Sequence, residues 1–228
     1  MSAPAQPPAG GAADPRLDPA QLDNLAASFA VLGRLQLTAP DEQTLLSLWE
    51  LLDEWPLTGA AATAAGLAEL QAARRSGESS AAIRQDHSYL YGDTAVARVA
   101  PYESVHRGLE GLVFDEQTLE VRQAYRSLSL AAPRINQEPD DHLGLEFDFI
   151  SQANLKALDA LDAGSIQDAH RYSRAGADFL RDHLQQWAPE MLARVVDEAG
   201  THFMRGLALL SLGALQSYAE LIGEGWSE

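Results

Sequence analysis

From Leu22 almost to the end of the chain, with a break over 92–110, apolar residues recur at steps of three and four. That spacing lays one apolar stripe along a helix, whereas a half-buried strand needs a period of two. The first stripe is Leu22, Leu25, Phe29, Leu32 and Leu35. Asp41 stands at a capping position before Leu45, Leu48, Trp49 and Leu52, and Pro56 and Gly59 end that run. An Ala-rich helix is expected over about 60–75, stopping at Ser76 and Gly77, and another from Ser79 with Ile83, Tyr89 and Leu90. The segment 92–110 carries Pro101 and Gly108 and no stripe.

A further helix is expected from near Asp115, with Leu119, Arg122 and Tyr125 on one side. Pro139 is expected in the first turn of the next, where its missing N–H costs nothing and where Asp140 and Asp141 favour the positive end of the dipole. Phe147, Ile150, Leu155, Leu158 and Leu161 follow, up to Gly164. Ser165 with Asp168 resembles a capping box for a helix holding Tyr172, Phe179, Leu180, Leu184 and Trp187. Pro189 is expected to restart the chain, and a last helix carries Phe203, Leu207, Leu210, Tyr218 and Leu221. Val96 to Val99 is the nearest candidate strand and is too short to count. The expected fold is all-α, a compact single-domain bundle of about nine or ten helices over residues 19–228, behind a disordered Pro/Ala-rich tail over 1–18.

The chain has 228 residues, 46% of them hydrophobic, enough to bury a substantial core. It has no cysteine, which excludes disulfides, a cysteine nucleophile and cysteine-ligated zinc or iron–sulfur sites. No basic, apolar leader and no stretch long enough to span a bilayer is visible, so a soluble protein is expected, and the lack of cysteine fits a cytoplasmic one. A net charge of −17 disfavours nucleic acid, whose binding runs on Lys and Arg. It suits either a basic partner or solubility alone.

Three constellations stand out. Pro101-Tyr102-Glu103-Ser104-Val105 follows Tyr91-Gly92 and reads either as part of a binding groove or as a packed connection. Glu138-Pro139-Asp140-Asp141-His142 has Glu146 four residues after its histidine. Carboxylates at a loop–helix junction can receive the guanidinium groups of a basic peptide. His142 and Glu146 share a helix face and can each ligate a metal, but two ligands are not a site. The plainer reading is a well-capped helix. Phe179-Leu180-x-x-His183-Leu184-x-x-Trp187-x-Pro189 follows helical spacing and reads as core. No nucleophile, Gly-rich phosphate loop or oxyanion hole accompanies any of them, so no catalytic residue, metal or cofactor is expected.

In this order and spacing the three blocks resemble the TorD/DmsD family of redox-enzyme maturation chaperones. The matching positions are Tyr91-Gly92 with Pro101 to Val105, then Glu138, Pro139, Asp141 and His142 with an acid at Glu146, then Phe179 to Pro189. His106 and Tyr91 stand where the family often has another aromatic residue. The resemblance covers residues 20–222 and implies an all-helical cytoplasmic binding protein and not an enzyme. Its expected partner is an apo molybdoenzyme precursor of the DMSO-reductase type, held through its twin-arginine signal peptide and its body until the cofactor is inserted. The expected peptide-binding residues are Tyr102, Glu103, Ser104, Glu138, Pro139, Asp141, His142 and Glu146. Asp141→Ala and His142→Ala are expected to weaken client maturation with the fold intact. A monomer or a domain-swapped dimer fits the resemblance. The rival readings are a nitrate-reductase-type assembly chaperone of the same superfamily, a helical metal-dependent enzyme using His142 and Glu146, and a plain helical adaptor.

Overall fold

The computed structural model describes residues 17–92, 96–108, 116–130 and 139–223, and in these the chain is helical with no strand. The helices are α1 (Pro19–Leu37), α2 (Glu42–Leu51), α3 (Ala61–Ser76), α4 (Ser80–Tyr91), α5 (Glu103–Arg107), α6 (Glu116–Ser127), α7 (Leu143–Asp162), α8 (Ile166–Phe179), α9 (Gln185–Glu198) and α10 (His202–Ile222). All but the last two residues of the tail expected over 1–18 lie outside the described residues.

Local chemistry sets most of the boundaries. Asp41 Oδ1 accepts from Thr44 N at 2.8 Å and Ser79 Oγ from Ala82 N at 3.2 Å, each occupying an amide that the first helical turn leaves unpaired. α3 ends on Gly77 in the left-handed conformation, φ 69°.

α7 and α10 form the middle of the bundle. α1 packs on α7, α3 on α10, α8 on the other side of α7, and α9 on α10. The α1 stripe is wholly buried, and Phe29 meets Phe147 edge-on at 5.2 Å and Tyr218 at 6.1 Å, which joins α1, α7 and α10 in one core. α1 and α7 cross backbone to backbone. A Cβ at Gly33 would stand 2.8 Å from Gly144 O, and one at Gly144 would stand 2.6 Å from Gly33 O. That crossing fixes the first turn of α7.

Several expectations need correction. α7 buries Phe147, Ile150, Ala153 and Ala157, while Leu155 is 40% exposed. On α6 the buried face is Thr118, Val121 and Tyr125, and Leu119 is 63% exposed. The irregular stretch 92–110 contains α5, too short to print a stripe.

Pro189 does not restart the chain. α8 runs without a break through a π turn, Leu180–Leu184, into α9, with Pro189 inside. The wide turn falls one turn ahead of the proline, where it can absorb the bend that the missing N–H and the ring impose. Pro139 is not in a helix either. Residues 139–141 form a turn ahead of α7, and His142 is its N-cap.

Candidate functional site

The first two blocks pair through their backbones. Leu143 N donates to Pro101 O at 2.8 Å and Glu103 N to Asp141 O at 3.0 Å, an isolated antiparallel bridge between Tyr102 and His142. The two rings meet edge-on at 5.2 Å. This bridge holds His142 extended, with His142 N donating to Pro139 O at 3.2 Å, so Pro139 lies in the turn before α7 and does not begin it.

Asp141 is fully buried and caps α5 across the bridge. Its Oδ2 accepts from Ser104 N at 2.8 Å and its Oδ1 from Thr118 Oγ1 at 2.6 Å, so one carboxylate ties α5, α6 and the α7 turn together. Asp140, also buried, pairs with Arg122 of α6. His142 Nδ1 accepts from Gly144 N at 3.0 Å, which occupies the nitrogen that a metal would need on that side and leaves the imidazole capping α7. Among the described residues no three His, Asp or Glu side chains are placed to hold a metal ion.

The third block closes the site. His183 lies in the π turn, 12% exposed, with Nδ1 2.8 Å from Glu103 Oε2. Arg107 reaches back to Glu103 Oε1, and the same Nη1 donates to Asp182 O at 3.0 Å. Glu103 itself has no exposed surface. Beneath it Trp187 Nε1 donates to Glu146 Oε2 at 3.2 Å, and His106 stacks on the Trp187 ring at 5.3 Å.

Glu146 Oε1 has no donor. Burial, with the negative charges of Glu103 and Asp141 nearby, pushes the Glu146 carboxyl well above the ordinary glutamate range. A proton kept on Glu146 can be directed at Glu103, which would give the orphan oxygen a partner.

Outside this network an open groove of about 580 Å³ is lined by Arg107, Glu120, Gln123, Asp182, His183 and Gln186. It shares Asp182 and His183 with a second groove of about 290 Å³ that Phe149 and Phe179 help to line. A polar, acid-bearing surface thus runs into one with aromatic character.

The structure therefore gathers Tyr102, Glu103, Ser104, Pro139, Asp141, His142 and Glu146 at one junction. Glu138 lies outside the described residues.

Comparison with known proteins fits this geometry. The family model described as "Nitrate reductase delta subunit" matches residues 57–193, which include all three blocks. The chain belongs to this family. Within the delta-subunit family its curated relatives carry the names of the TorD and DmsD chaperones. It is 27% identical over 209 residues to the "Tat proofreading chaperone DmsD" of Salmonella typhi, covering 89% of this chain and 93% of that one. It is 24% identical over 144 residues to the "Chaperone protein TorD" of Vibrio parahaemolyticus, covering 62% and 65%. With the TorD of Photobacterium profundum it shares 25% over 107 residues, 47% and 48%. The chain thus spans less than two thirds of the TorD relatives' length and most of the DmsD relative's. These relatives are named as chaperones, which bears out the TorD/DmsD resemblance and the reading of a binding protein over an enzyme.

For this member of the delta-subunit family, sequence reasoning missed Arg107, Thr118, Arg122, His183 and Trp187 as parts of the site. His183 and Trp187 were legible as helical neighbours, and their spacing reads as core. Phe179, Leu180, Leu184 and Trp187 are core indeed. The π turn is what shifts His183 toward Glu103, and no residue pattern announces it.

Proposed function

We propose that this chain is a cytoplasmic chaperone for an apo molybdoenzyme precursor of the DMSO-reductase type. It binds the precursor's twin-arginine signal peptide and body, and assists cofactor insertion before export. The observation that carries the reading is the convergence of three sequence blocks, far apart in the chain, on one acid-bearing junction beside an open groove. A relative of 27% identity is named for Tat proofreading, which supports the same client class. A net charge of −17 favours the approach of a basic peptide.

In this proposal the expected set divides by burial. Ser104, Pro139, Asp141 and Glu146 shape the site from beneath, Tyr102 and His142 form its bridged edge, and Glu103 is its charged centre. Glu138 belongs to the set by its place in the second sequence block. The two-part groove suits a peptide in which arginines precede apolar residues.

The test is co-purification. The tagged chain is isolated from its own host grown under anaerobic respiration, and its companions are identified by mass spectrometry. Enrichment of a precursor molybdoenzyme with its leader intact, lost when the paired leader arginines become lysine, supports the proposal. Absence of any such precursor, while mature molybdoenzymes are abundant in the lysate, sinks it.

A further inference from the structure

We propose that the buried Glu103 carboxylate and the Asp182 carbonyl form a guanidinium subsite, which Arg107 fills in the free protein and an incoming arginine fills in its place. Glu103 and Arg107 are four apart on α5, and such a pair is ordinary on a helix. What is not ordinary is the second acceptor. Arg107 Nη1 also donates to Asp182 O, on a different element. The widened π turn presents two successive carbonyls to side chains, since Gln186 Nε2 donates to Arg181 O at 2.7 Å beside it. One Nη1 serves both acceptors, a carboxylate and a helix carbonyl each fixed by its own element, through the two in-plane N–H groups of a guanidinium nitrogen.

The acceptors are rigid and the donor is not. Glu103 is fully buried, whereas the Arg107 side chain is 31% exposed and lines the groove of about 580 Å³. Behind Glu103 lies the wholly buried Glu146, whose Oε2 accepts from Trp187 Nε1. His183 holds the other Glu103 oxygen, and Glu120 and Asp182 face the same groove. A buried carboxylate stripped of its partner is costly, so an empty subsite is disfavoured. An arginine from outside can replace Arg107 without that cost, one charge-assisted contact for another. Arg107 is then a built-in competitor that lowers the apparent affinity for arginine. That the natural ligand is a peptide rests on the proposed function; the subsite is tested without a client.

The experiment uses the full chain and arginine amide as probe, with lysine amide as control, followed by chemical-shift titration and by thermal melting. Arg107→Ala is expected to bind arginine amide about tenfold or more tightly than the wild-type chain. Arginine amide is also expected to restore the melting temperature that the substitution loses. Lysine amide should do neither, and adding Glu103→Gln to Arg107→Ala should abolish both effects. Should Arg107→Ala not fold, Arg107→Lys keeps a charge on Glu103 and should still bind arginine amide more tightly than the wild type. Equal affinity in wild type and variant, or equal response to the two amides, overturns the subsite. A peptide with paired arginines is then added. If arginine amide binds as expected and the peptide gains nothing from Arg107→Ala, the subsite stands and the signal-peptide reading fails.

Discussion

Asp141 has no exposed surface, and both its carboxylate oxygens are taken, by Ser104 N and Thr118 Oγ1. Its place in the motif suggests a partner for a client's guanidinium, but its bonds give it structural work first. Asp141→Ala leaves a buried amide and a buried hydroxyl unpaired, so a loss of about 3 kcal/mol is expected. For a chain of this size that is a fall in Tm of roughly 6–12 °C. Asp141→Asn should lose about half as much, because the Thr118 hydroxyl can rotate to accept from the new amide. Thermal melts of both variants decide this; unchanged melting of Asp141→Ala would return the residue to a purely client-facing role. Glu146 supplies the pH dependence. Its folded value lies above the ordinary 4.5, so above that pH the unfolded chain has lost a proton that the folded chain keeps. Its contribution is full below about pH 4.5 and is lost as pH rises toward the folded value. Asp148, raised by burial, adds with the same sign. Glu146→Gln keeps the shape and removes the titration. The variant should therefore gain stability relative to wild type as pH rises above the ordinary glutamate value toward the folded one, by up to about 1.4 kcal/mol per pH unit. Parallel pH curves for the two proteins would show that Glu146 is ionised in the fold.

At the scale of elements, the crossing of α1 and α7 is the contact that positions the site, because α7 is capped by His142 and crosses α1 within its first turn, at Gly144. Gly144→Ala places a methyl 2.6 Å from Gly33 O, against backbone that cannot swing aside. A cost of about 2 kcal/mol is expected, read as a lower urea midpoint. Gly59→Ala, with nothing within 4 Å of its Cβ, is the control and should be neutral or slightly stabilising. Equal effects at the two positions would deny the crossing. The elements most legible in the sequence were those ended by their own residues, such as α2 at Asp41 and α3 at Gly77. The ends set by a neighbour were misread. Pro139 was placed in a helix because its local preference allows it, and the bridge to Tyr102 pulls it out. Pro189 reads locally as a break, and the π turn carries the helix past it.

For the molecule as a whole, the excess of 33 acidic over 16 basic residues acts at a distance. Association with an arginine-bearing peptide is expected to slow about tenfold or more as salt rises from about 50 mM to about 500 mM, with dissociation changed little. Stopped-flow rates at several ionic strengths measure both. An on-rate insensitive to salt would mean that the charge serves solubility and does not steer. Whatever its use, this field is set by composition and needs no fold to be read.

What the sequence by itself determined was the all-helical class, the run of helices, their caps and the three blocks. Each of these depends on residues within about one helical turn of one another, where spacing and backbone sterics decide. The tertiary structure alone decided which charges are spent and which face the groove. Asp141 finds Ser104 across 37 residues and Glu103 finds His183 across 80. Burial then raises the cost of leaving either carboxylate unpaired. Pairings at that range follow from how α5, α6, α7 and the π turn pack, and no local pattern encodes them.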